Sequence, residues 1–172
     1  MININFPDNK FRVIVSPYIK PYIIDDIFWE VFDMASNSQA PMSLRAVGAF
    51  TVDKFFLPDK IATEDWTIED LDLEKVETKV FEVLSETHEE VLKLISSFSD
   101  FEDFYTYVVE NAPIPAHYDL MGMLLMIHRE QYVEALQTAE GLIAKRQLGK
   151  FQNKSKWINE YIVDYCKERL EK

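Results

Sequence analysis

At 172 residues, 48% hydrophobic and 13% aromatic, the chain has one ordinary domain's length and apolar material for a continuous core, which excludes global disorder despite a formal charge of −12. A single cysteine, Cys166, excludes an internal disulfide framework, and only 4 glycines argue against an all-β fold built on tight turns. No apolar run reaches the ~18 residues of a membrane span, and Asp8, Lys10 and Arg12 interrupt any secretory-signal-like start, so a cytoplasmic chain away from membranes is expected.

The predicted fold class is α+β, mostly α, in one domain: a small N-terminal part (1–60) of about three strands and one helix, packed on a C-terminal set (72–172) of about five helices. Residues 11–15 are short and β-branched between Asn9 and Pro17, the pattern of a strand. Ile23, Ile24, Ile27, Phe28, Val31, Phe32 and Ala35 recur at helical spacing, and 37–41 reads as a loop. Residues 44–50 and 52–57 read as two strands that pair with each other, with Gly48 weakening the first. A loop rich in acids around Trp66 follows. Asp72 then caps a long helix with an inward stripe of Leu73, Val76, Val80, Val83, Leu84, Val91, Leu94, Ile95 and Phe98. Ser99 and Glu102 have capping-box spacing for the next helix, which Asn111, Pro113 and Pro115 end. Helices over about 117–128 and 132–148 come next, then a polar loop over 149–155. The last helix turns Trp157, Ile158, Tyr161, Ile162, Tyr165, Cys166 and Leu170 inward.

Met121, Gly122, Leu125, Tyr132 and Ala135, followed by Ala139, have a spacing with a mechanical reason, since small residues let paired helices approach closely. On these residues the stretch 118–147 resembles one tetratricopeptide hairpin. It departs at Ala139, where that family keeps a large aromatic, and at Gln147, which replaces the terminal proline. No second copy occurs at that period, so the resemblance implies a single hairpin inside a globular domain, without a stacked solenoid.

Catalytic and metal motifs break down residue by residue. His88-Glu89-Glu90-Val91-Leu92 starts like a zinc-protease helix, but Leu92 holds the second histidine position. Gly149-Lys150 resembles the end of a phosphate loop, yet Ala144 replaces its first glycine and Phe151 its hydroxyl. His117 and His128 could share a helical face but would stand roughly 16 Å apart, too far for one metal. Cys166 falls on an apolar helix face, as a packing thiol does. No catalytic residue, metal site or cofactor is expected.

Charge is the informative feature. Residues 61–120 hold 16 acidic and 3 basic side chains, against 7 and 6 in 1–60 and 7 and 9 in 121–172. Like charges so concentrated repel across a compact state, and a basic partner is the simplest reason to keep them. Glu82, Glu86 and Glu90 follow one another at i, i+4 on the solvent side of the long helix. Upstream, Glu64, Asp65, Glu69 and Asp70 surround Trp66, an aromatic that anchors a cationic surface or plugs the core beneath. These eight residues are the candidate partner-binding set. Lys145, Arg146, Lys150, Lys154 and Lys156 cluster near the C-terminus, but −12 overall and no accompanying motif point away from nucleic acid.

In broad character the chain is similar to bacterial toxin-immunity proteins, which are small, acidic and cytoplasmic; no residues are carried over from that resemblance. It implies a cognate toxin, often a nuclease with a positively charged cleft, inhibited by stoichiometric binding. The alternative is a helical adaptor or assembly subunit that binds through its C-terminal helices and exposes an apolar patch there.

Overall fold

The computed structural model describes residues 2–5, 10–41, 52–57, 61–67, 72–111 and 119–172, with backbone only at 2–5, 56 and 73. The strand expected over 44–50 lies outside the described residues, as do Glu69, Asp70 and His117. The fold is α+β and mostly α. Its strands are β1 (Ile2–Asn5), β2 (Lys10–Val15), β3 (Tyr18–Ile19), β4 (Phe55–Phe56), β5 (Ala62–Thr67), β6 (Gln152–Asn153) and β7 (Lys156–Trp157). Among the described residues the helices are α1 (Tyr22–Val31), α2 (Leu73–Ile95), α3 (Phe101–Asn111), α4 (Asp119–His128), α5 (Tyr132–Ala144) and α6 (Ile158–Leu170). Two units, each drawn from two separated stretches, account for these elements: 1–20 with 54–103, and 21–53 with 104–172.

In the first unit β1, β2 and β5 form an antiparallel sheet in that order, with Arg12 opposite Asp65, Phe11 opposite Trp66 and Val13 opposite Glu64. Residues 62–67 are therefore a strand, where the acidic composition had suggested a loop. Among the described residues β5 lies at the sheet edge, so one apolar-facing row (Ala62 and Trp66) suffices, and charged neighbours are favoured there. Within 52–57, Phe55–Phe56 pairs with Tyr18–Ile19; the pairing expected with 44–50 lies outside the described residues. Val83 of α2 packs with Val13 and Val15 in a buried cluster, flanked by Phe11, Ala62, Trp66, Val80 and Leu84. Asp72 caps α2 by accepting from Glu74 N at 3.1 Å. Ile95, expected on the buried stripe, is 43% exposed, because the stripe drifts round a helix that outruns its six-residue strands.

The cap of α3 is displaced by one residue from its expected position. Asp100 Oδ1 accepts from Glu102 N and Asp103 N at 2.8 and 3.0 Å, and Asp103 reaches back to Ser99 N at 3.0 Å. Aspartate at Asp100 serves the free N–H groups better than Ser99 because it carries charge as well as an acceptor.

In the second unit α1 packs on α4 and α6, α4 on α5, and α5 on α6. Phe28 and Phe32 stack at 5.1 Å, with Tyr161 edge-on to Phe32 at 5.0 Å. Ala135 and Ala139 are fully buried, and Tyr105 lies so close to Gly122 that a Cβ there would stand 2.5 Å from its Oη. Three helices end alike: Asp33, Glu130 and Arg146 take φ of 57°, 59° and 60°. The next residue's N–H then bonds back to Trp29, Met126 and Leu142 O at 2.8, 2.9 and 2.9 Å. This is the Schellman closure with a charged residue at the left-handed position that usually holds glycine.

Two substitutions test this backbone accounting. Glu130→Gly should raise stability by about 1 kcal/mol by relieving left-handed strain. Gly149→Ala should lower it by roughly 3 kcal/mol, since its Cβ would stand 2.3 Å from Ile158 Cγ2 at φ +95°. Thermal melts of both variants against the parent read out the opposite signs.

Candidate protein-docking groove

Strand alternation decides which acids meet. On β5, Ala62, Glu64 and Trp66 share the side that faces α2, and Asp65 takes the other side. Glu64 and Trp66 there line a groove whose opposite wall is the first half of α2 and its cap: Asp72, Glu74, Lys75, Thr78, Lys79 and Glu82. Trp66 is half-buried, its ring 5.6 Å from that of Phe11, so it both closes the Val13–Val15–Val83 core and floors the groove. Of the two roles considered for Trp66, the packing shows the core plug.

Lysines are threaded among the carboxylates. Lys79 Nζ lies 3.3 Å from Glu82 Oε2 and 3.9 Å from Glu64 Oε1, and its pKa is raised, first by the hydrogen bond to Glu82 and then by the charge of Glu64. Lys75 Nζ sits 3.3 Å from Asp72, whose carboxyl is held below its ordinary value chiefly by that lysine. Asp65 is elsewhere. Arg12, its register partner, donates from Nε and Nη2 at 2.7 and 2.8 Å in a two-pronged pair that depresses the aspartate pKa.

Of the eight candidates, the structure thus brings Glu64, Trp66 and Glu82 together. It puts Asp65 on the reverse of the strand and leaves Glu86 and Glu90 exposed further along α2. Glu69 and Asp70 lie outside the described residues. Sequence reasoning did not assign Asp72, Glu74, Lys75, Thr78 and Lys79 to the site. Lys79 was visible three residues before Glu82, but its reach to Glu64 depends on a strand pairing that the acids disguised.

Among the described residues no cluster of three or more His, Cys, Asp or Glu side chains has metal-binding geometry. Cys166 is fully buried, its thiol pushed up to about 11 by burial, opposite to what a nucleophile needs. The second unit holds an apolar cavity walled by Met121, Met123, Leu142, Phe151 and Ile158. Of the polar groups at its wall, Lys150 pairs with Asp53 at 2.6 Å, and Asn159 donates to Gln147 O at 2.8 Å.

Comparisons with protein-family models, with curated proteins and with solved structures find no match for this chain. No helix among the described residues is long and apolar enough to cross a membrane.

The Arg12–Asp65 pair makes a pH-dependent contribution of known sign. A folded-state pKa below 3.8 means the unfolded chain binds the proton more readily, so the stabilisation is present above that value and lost as pH falls through the folded one. Asp65→Asn should therefore lower the Tm most at about pH 5 and converge on the parent towards about pH 2. A constant difference across that window would show the pair to be inert.

Proposed function

We propose that this protein is a stoichiometric inhibitor of a basic protein, acting in the cytoplasm as bacterial immunity proteins do, with a nuclease-type toxin as the partner class. The observation that carries this reading is the meeting of Glu64, Trp66 and Glu82 in one groove, extended along α2 by exposed Glu86 and Glu90. An aromatic floor beside carboxylates suits an arginine- or lysine-rich surface, because the ring takes the cation's apolar stem while the carboxylates take its charge. Of the tail's basic cluster, Lys150, Lys154 and Lys156 pair with Asp53, Asp33 and Asp164 of their own unit. Carboxylates at the mouth of a phosphate-binding cleft would speed encounter and exclude substrate.

A helical adaptor is the weaker reading. Among the described residues the exposed large apolar side chains of α4 to α6 are Val133 and Leu170, single positions on different helices. Isolated exposures of this kind are ordinary on a monomer.

Capture from a host extract tests the proposal. The partner should be retained at about 50 mM salt, released at about 500 mM, and lost from the Glu82→Lys, Glu86→Lys, Glu90→Lys triple variant at unchanged helicity. Adding the chain back at one-to-one ratio should abolish the captured protein's activity. Retention by the triple variant at both salts would overturn the reading.

A further inference from the structure

The helix that supplies most of the groove carries a second apolar stripe, away from the sheet. Phe81 is 71% exposed, Leu92 47% and Ile95 43%. With half-buried Ser85 and exposed His88 they follow an alternating four-three spacing: 81, 85, 88, 92, 95. That is the seam of a coiled-coil helix, running about 21 Å and centred roughly 110° round the helix from the core stripe. Singly exposed apolar residues need no explanation, but three on one seam are a surface.

The flanks of the seam say what covers it. In heptad register, exposed Lys75, Glu82 and Glu89 fall on one flank, and exposed Glu77 with half-buried Leu84 and Val91 on the other, so the acids outnumber the one cation. Two copies paired in parallel would set Glu77 of one against Glu82 of the other. An antiparallel pair would set Glu82 against Glu89. Like charges at these positions select against self-association and for a partner with Lys or Arg there. Glu82 also borders the groove, so one partner can engage both.

We infer that the outer face of α2 is the seat of a basic amphipathic helix supplied by the partner, its apolar side on Phe81, Leu92 and Ile95 and its cations on Glu77, Glu82 and Glu89. This rests on the protein-binding reading above and specifies the partner's docking element. A partner helix laid along this face would meet its apolar anchors at Phe81, Leu92 and Ile95, spaced i, i+11 and i+14, with Ser85 and His88 between them.

Two labelled peptides of about 21 residues test it, one with leucines on a heptad seam and lysines flanking, the other of the same composition scrambled. Binding to the full chain is followed by fluorescence anisotropy, and backbone amide shifts map the site in the unmodified protein. The heptad peptide should bind at least tenfold more tightly than the scrambled one and shift the amides of Phe81, His88, Leu92 and Ile95. The Phe81→Ser, Leu92→Ser double variant should weaken it at least tenfold at unchanged helicity. Equal binding of both peptides, untouched by the double variant but lost in the Glu82/Glu86/Glu90 reversal, would sink the amphipathic seat and leave acidic docking standing. Binding of neither peptide also overturns the seat, while capture from extract judges the broader reading. A homodimer in sedimentation that Phe81→Ser dissolves would give the face to a second copy and overturn the inference.

Discussion

Which carboxylates meet and which part is decided by the rotation of α2 about its own axis, and a small apolar contact sets that rotation. Val83 against Val13 and Val15 is the buried centre, with Val80, Leu84, Trp66 and Phe11 around it. Each residue along a helix advances about 100°, so choosing Phe81 and His88 as the inward face would swing Glu82 and Glu86 off the groove. Length helps the valine stripe win. A six-residue strand such as β5 spans about 20 Å, while the 23 residues of α2 span about 34 Å, so the sheet covers only part of the helix. Val76, Val80, Val83 and Leu84 are concentrated in the half next to the cap. Leu92 and Ile95 lie in the other half, where less of the sheet is left to cover them.

How much was legible in the sequence follows from how each element earns its place. Helices whose stability comes from a periodic apolar face announced themselves: α2 with its Asp72 cap, and α6 with Ile158, Ile162 and Cys166 buried. The strand β5 did not, because an edge strand needs only Ala62 and Trp66 against the core, and its other positions are threonine and acid. Once β5 was taken for a loop, the Arg12–Asp65 pair could not be foreseen, since its members are 53 residues apart and meet only through sheet register. The cap of α3 was missed for a different reason. Serine and aspartate are near-equal N-caps, and the choice between Ser99 and Asp100 is settled by the charge that aspartate adds at a helix start.

The groove is not uniformly negative, and this bears on how the proposed partner would enter it. Lys79 softens the repulsion between Glu64 and Glu82, yet all three side chains remain 35–53% exposed. Exposed pairs of this kind contribute little, so on the proposed reading a partner's arginine would displace Lys79 at small cost and gain the forked geometry that lysine lacks. On that reading, a lysine that screens the carboxylates in the free protein would yield its place to the partner's cation.

Acidity by itself is weak evidence for docking, because it costs little to keep. The spacing Glu82–Glu86–Glu90 contains two like-charged i, i+4 neighbours at about 0.2–0.5 kcal/mol each, less than one buried methylene pair contributes. A solvated acidic face also has a use of its own in keeping a protein from aggregating. Exposed phenylalanine has the opposite effect. Phe81 presents most of its ring to water within a field of carboxylates that attract cations, where a serine or glutamine would fit the helix and improve solubility. Solvation alone accounts for the glutamates but not for the seam between them. A partner that is apolar on one side and cationic on its edges accounts for both with a single surface.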